Sequence, residues 1–225
     1  FDHKKIPETI KYLEKKINFE LFKQASAEAQ VANLCDDIAY VSHDLNDGLK
    51  DKLFSLEEIE IIPVMKTIIN DFKLDKFKKN KNLFVNQITR NLINYFVNDL
   101  VDCSSKIIIE NKFLNVEDIR NHKKSVIKMN DSVFQDLLEI KNFLFKKMYN
   151  NEIILEELKE VNINIKKMFN YLNDNPLKLP KSWHYFDKQL ILELESSMKS
   201  RIICDYISGM TEDYFNLQLT KFKLS

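Results

Sequence analysis

The chain has 225 residues, 44% hydrophobic and 30% charged, with a formal net charge of zero. That is enough for one sizeable core or two small ones, and the balanced charge gives no global field to draw in nucleic acid or an acidic membrane. Only 2 Gly and 4 Pro occur, where average usage would give roughly 15 Gly; sheets need Gly at turns and bulges, so the shortage predicts an all-α fold of long helices.

In chain order, helical patterns run over residues 7–17 and 25–53. The second pattern has two unlike faces. At about 100° per residue, Val31, Leu34, Ile38, Val41, Leu45 and Leu49 form an apolar stripe, while Asp36, Tyr40, His43, Asp44 and Asp47 fall opposite, with no Lys or Arg before Lys50. Solvated helix faces usually mix both signs of charge. A line of carboxylates, an imidazole and a phenol suits a metal ion and a polar ligand, with a solvated acidic face as the alternative.

Ser55 followed by Glu58 is a capping-box signature for a helix that Pro63 interrupts, with more helix to Phe72. The basic run 73–81 reads as a solvated loop, or alternatively as a patch for nucleic acid. Residues 83–109 form a long amphipathic pattern, 116–122 a short one, and 131–150 and 152–173 read as neighbouring helices. Pro176 and Pro180 mark the clearest break, and a last long helix is expected over 187–222, with Gly209 inside it at a close helix–helix contact. No strand pattern stands out beyond a weak run at 107–109, and there is no internal repeat. The 16 Phe read as core.

Cys35, Cys103 and Cys204 lack any C-x-x-C spacing. They read as reduced thiols of a cytoplasmic protein, with Cys35 as a packing residue. No apolar run approaches the ~18 residues of a membrane span, and the N-terminus has no signal-peptide pattern. The chain starts at Phe1, so loss of an upstream portion is expected.

Three blocks carry a family resemblance. The first is Glu28-Ala-Gln-Val-Ala32 followed by Asp36, Asp37, Ile38, Ala39, Tyr40, His43, Asp44, Asp47, Gly48 and Leu49. The second is Lys141-Asn-Phe-Leu-Phe-Lys-Lys-Met-Tyr149, and the third Asp205-Tyr-Ile-Ser-Gly-Met-Thr211 with Asp213 and Tyr214. Together they resemble the deoxyguanosine triphosphate triphosphohydrolase (dGTPase-like) family of HD-domain enzymes, whose patterns include E-A-Q-V-A-x-x-x-D-D-I-A-Y-x-x-H-D-x-x-D-G-L, K-x-F-L-F-x-x-M-Y and D-Y-I-x-G-M-T-D-x-Y. The resemblance implies an HD-domain-like helical fold. Residues 1–54 would be the end of the catalytic core, and 55–225 a helical C-terminal region that completes the nucleotide pocket and makes oligomer contacts.

By that resemblance Asp36 is the last ligand of a divalent metal (Mg, Mn, Fe or Zn). Tyr40 and Asp44 line the nucleotide pocket, Asp44 accepting a hydrogen bond from the 3′-hydroxyl of deoxyribose. Lys141 faces the polyphosphate, and Tyr149 packs under the sugar, leaving no room for a 2′-hydroxyl. Asp37, Asp47 and Arg90 receive no role. His43-Asp44 belongs to the first block and is not the metal-binding His-Asp pair. His3, His122 and His184 match no family ligand either, so three of four metal ligands are missing. The implied activity is hydrolysis of a deoxynucleoside triphosphate to deoxynucleoside and tripolyphosphate by a homo-oligomer, the 225 residues being inactive alone. The alternatives are a non-catalytic nucleotide-sensing or oligomer-forming helical protein, and a nucleic-acid binder using the basic run.

Overall fold

The computed structural model describes residues 6–186 and 188–224. Local signals set most helix ends. α1 (Glu8–Ile17) stops where Asn18 takes φ 46°, a left-handed conformation that Asn tolerates better than most residues. α2 (Ala27–Lys50) begins at Ser26, whose hydroxyl accepts from the Ala29 amide. α3 (Leu56–Ile59) carries the complete capping box, with Ser55 N–H donating to Glu58 at 2.8 Å and Glu58 N–H donating to Ser55 at 3.3 Å. Pro63 starts α4 (Pro63–Asp71), in the first turn, where the missing N–H would have had no helical partner. α5 (Lys81–Asn111) and α6 (Val116–Arg120) are capped by Asn80 and Asn115. α7 (Asp131–Leu144) continues without a break into a π-helical turn, Phe145–Tyr149.

Two compact units result, residues 1–149 and 150–225. In the first, α2 packs on α5 and α7. Ile38, Val41, Leu45 and Leu49 of α2 join Phe84, Ile88, Leu92 and Phe96 of α5 in one buried cluster. Val133, Leu137, Ile140 and Leu144 of α7 complete it, at the 4-3-4 spacing of one helix face. Each such side chain contributes about 1.5–3 kcal/mol on full burial. The apolar stripe is shorter than the sequence suggests, because Val31 is exposed and Leu34 only half-buried. The first turn of α2 is held by polar bonds instead. Gln30 is buried, its side-chain oxygen accepts from Ser125 Oγ, Val126 N and Ile127 N at 2.6, 2.9 and 3.1 Å, and its Nε2 donates to Ala25 O at 2.7 Å. These bonds satisfy backbone groups that would be costly to bury unpaired. Lower on α2, a Cβ added at Gly48 would lie 2.3 Å from the Phe54 ring, so the absence of a side chain is required there.

The second unit starts with α8 (Glu152–Asp174). Short 3-10 turns follow at Pro176–Lys178 and Lys181–Trp183, then a hairpin of β1 (Tyr185–Phe186) and β2 (Gln189–Leu190), paired Tyr185 to Leu190 and Phe186 to Gln189. A further 3-10 turn, Ile191–Glu193, leads to α9 (Ser196–Ser208) and α10 (Glu212–Lys221). Met168, Leu172, Leu179, Ile191, Ile202, Ile203, Tyr206 and Leu219 form its core.

The long helix expected over 187–222 is therefore replaced by a hairpin and two helices, its expected first residue, Asp187, lying outside the described residues. Lys188 at φ 70° cannot start a helix, and Thr211 opens a new one by accepting from Tyr214 N, with Glu212 and Asp213 in the first turn, where the helix dipole favours acids. Gly209 ends α9 at φ −85° and makes no close contact with another helix, since an added Cβ would meet Asp205 O at 3.4 Å and Tyr206 O at 3.7 Å, both in α9 itself and both ordinary contacts. All three cysteines are free; Cys103 is buried, whereas Cys35 and Cys204 are exposed, so Cys35 does not pack as expected. Among the described residues no helix is long and apolar enough to cross a membrane. The all-α class holds, with the small hairpin as its only sheet among the described residues.

Candidate functional site

The facing edges of α2 and α7 leave an open cleft of about 470 Å³. Asp36, Asp37 and Tyr40 line it from α2, and Lys141, Asn142, Phe145 and Tyr149 from α7 and its π turn. The i, i+4 steps on both helices produce this arrangement, since residues four apart share a helix face. Over eight residues, however, a regular α-helix rotates about 80° past alignment. The wider π turn rotates less per residue, which keeps Tyr149 on the same side as Lys141 and Phe145.

Asp44 lies one turn below Tyr40 and is half-buried. The Tyr149 hydroxyl donates to its Oδ2, so Asp44 belongs to the same group of side chains, and it bonds across to α7 rather than to Lys50. The Tyr40 and Tyr149 rings are stacked, with centroids 5.9 Å apart and planes 11° from parallel. Lys141 Nζ donates to Asp37 Oδ1 at 2.6 Å, each side chain being about one-third exposed. Asp37 is thus a site residue to which the sequence reading gave no role, as is Asn142. The signal available was Lys141 itself, a half-buried cation that needs a carboxylate facing it.

Burial pushes the Asp44 carboxyl above its usual range; the neighbouring Asp47 charge adds to this, and His43 opposes it. Tyr40 is also raised, first by burial and then by Asp44, with Lys141 opposing. Asp36 is exposed at the cleft. His43 is exposed beside Asp44. His122 and His184 are engaged with the carbonyls of Lys124 and Leu179, both at 2.8 Å; His3 lies outside the described residues.

The residues present do not by themselves complete a site for a divalent ion. Among the described residues no three His, Cys, Asp or Glu side chains come together to hold one. The nearest carboxylate in sequence, Asp37, already faces the Lys141 ammonium, which repels a second cation. Asp36 offers one carboxylate only. A larger hollow of about 820 Å³ lies at the other end of α2, where Phe22, Leu34, Met129 and Phe134 give it a largely apolar wall and Gln30 is already bonded; it gathers none of the anticipated site residues. In the basic run, Lys78 is bound by Glu60 at 3.0 Å and Asp75 at 2.9 Å, which offsets part of its charge.

Residues 127–220 match the model of the phosphohydrolase-associated domain. Over 204 residues, 90% of this chain and 50% of the relative, the sequence is 35% identical to a deoxyguanosinetriphosphate triphosphohydrolase-like protein of Jannaschia sp.. It is 33% identical over 215 residues to the protein of that name from Roseobacter denitrificans, covering 95% of this chain and 54% of the relative. With the one from Rickettsia prowazekii it shares 31% identity over 211 residues, 93% of this chain and 54% of the relative. The chain spans about half the length of these relatives. The helical fold, the three sequence blocks and these similarities agree: over about half of their length the deoxyguanosinetriphosphate triphosphohydrolase-like proteins are what this chain resembles, and residues 127–220 match the phosphohydrolase-associated domain.

Proposed function

We propose that the α2–α7 cleft binds a deoxynucleoside triphosphate and forms one wall of a triphosphohydrolase site. The reaction adds water across the bond between the α-phosphorus and O5′, giving deoxynucleoside and tripolyphosphate. The observation that carries this reading is the meeting of Lys141, Tyr149, Tyr40 and Asp36 around one cleft, with Asp44 joined to it through Tyr149. An ammonium is a compact point charge suited to a terminal phosphate, and Lys141 turns from Asp37 to meet it. The raised, half-buried Asp44 carboxyl accepts a sugar hydroxyl. Tyr149, fixed by its bond to Asp44, fills the space that a 2′-hydroxyl would need, and burying such a hydroxyl unpaired is costly.

The resemblance to this family suggests a divalent ion (Mg, Mn, Fe or Zn). In this reading Asp36 gives it one ligand and residues beyond these 225 give the rest, so the chain alone binds nucleotide without turnover. A cytoplasmic setting and assembly with further copies of the chain belong to the same proposal.

The test is incubation of the native gene product with each dNTP and Mn or Mg, following tripolyphosphate. Deoxynucleotides should be hydrolysed, ribonucleotides hardly at all, and Asp36→Ala should abolish turnover. Equal hydrolysis of both sugars, or full activity of Asp36→Ala, would refute the proposal.

A further inference from the structure

The first half of α8 carries an exposed apolar face. Ile154, Leu158, Val161, Ile165, Met168 and Leu172 recur at alternating steps of four and three, the spacing of a helix seam that meets another helix. Met168 and Leu172 are fully buried in the core of the second unit. Upstream the same seam emerges, with Leu158 45%, Val161 47% and Ile165 39% exposed. Leu155, also exposed, widens it. The open stretch from Ile154 to Ile165 is about 17 Å long.

Charge along the helix indicates what covers it. Glu152, Glu156 and Glu160 lie in its first part, with Lys159 as a cation among them, and Lys166 and Lys167 follow the open seam. A second α8 laid parallel would set acid against acid and base against base. Laid antiparallel, it sets Glu152 toward Lys166 of the second copy, Ile154 against Ile165 and Leu158 against Val161. We propose that this stretch of α8 is a two-fold self-association face on which a second copy of the chain lays its own α8 antiparallel. The contact is isologous, as most closed dimers are. It names the face of the homo-oligomer proposed above and involves no cleft residue. A helix pair this short buries less than the ~1,200–2,000 Å² of a standard stable interface, so the association depends on concentration.

Sedimentation equilibrium of the 225-residue chain, from about 1 to about 100 µM, tests it. The wild type should pass from the 26.8 kDa monomer to a dimer. Leu158→Glu, at an exposed position, should stay monomeric throughout with an unchanged circular dichroism spectrum. Lys166→Glu should weaken the dimer, and adding Glu152→Lys to it should restore the wild-type association. A wild type that stays monomeric at the top concentration overturns the proposal, as does a Leu158→Glu dimer of wild-type strength. A charge-swapped pair no better than Lys166→Glu overturns the antiparallel arrangement. None of these outcomes touches nucleotide binding at the α2–α7 cleft, which is measured separately on the same variants.

Discussion

Gly48→Ala is the sharpest test of how α2 is held. On helix propensity alone the substitution should stabilise by about 1 kcal/mol, because Ala is the better helix former. The structure opposes this. A Cβ there would lie 2.3 and 2.4 Å from two atoms of the Phe54 ring, well inside van der Waals contact. The ring cannot swing away cheaply, being 4% exposed and packed edge-on against Phe143 with centroids 5.0 Å apart. Overpacking a tight core costs about 1–3 kcal/mol, and an overlap this deep belongs at the upper end. The net expectation is a loss of about 2 kcal/mol, read as a lowered urea midpoint and, for a chain of this size, a melting temperature lower by roughly 4–8 °C. Phe54→Ala should itself destabilise, but in the double variant the new Cβ has room, so a double-mutant cycle should show a coupling of at least about 1 kcal/mol. If Gly48→Ala alone raises stability, the account of α2 packed onto Phe54 is wrong.

Three further outcomes follow from the same geometry. Asp44 titrates above its unfolded value because it is buried beside Asp47, so ionising it costs the fold stability as pH rises from about 3.9 through the folded value, and nothing below the unfolded one; Asp44→Asn should therefore gain stability over wild type at pH 7 but not at pH 3 in denaturant titrations, and a larger gain at pH 3 would contradict the assignment. Lys141→Met should weaken inorganic tripolyphosphate binding to the chain by about tenfold, some 1.4 kcal/mol, in calorimetric titration, with unchanged affinity removing Lys141 from the phosphate end. Thr211→Ala, which deletes the cap of α10, should lower stability by about 1 kcal/mol in urea unfolding; no loss would mean that the cap does not define the helix start.

The sequence revealed what depends on neighbours along the chain, and missed what depends on partners across it. The Ser55–Glu58 capping box and the buried face of α2 from Ile38 to Leu49 follow from local chemistry and period, and both stand as read. The all-α class followed from the scarcity of Gly. Lys188 at positive φ and the Thr211 cap interrupt the last segment; the Gly209-Met-Thr-Glu-Asp string was a legible stop and restart, hidden by apolar spacing that continues through it. Asp37 escaped because its partner, Lys141, lies over a hundred positions away. Gln30 sat in a recognised block, yet its bonds to residues 125–127 are long-range too. The π turn that aims Tyr149 left no mark in the residue spacing. At the cleft, helix periodicity suggested which side chains share a line on each helix; only the packing of α2 against α7 joined the two lines.

The central claim is that a deoxyribose rests against Tyr149 and Asp44. Calorimetric titration of the 225-residue chain with each dNTP and its ribonucleotide counterpart measures this directly, without turnover. At least one deoxynucleotide should bind and its ribonucleotide partner should not, with Tyr149→Ala narrowing the difference. Equal binding of both sugars by the wild type, or an unchanged preference in Tyr149→Ala, would contradict it.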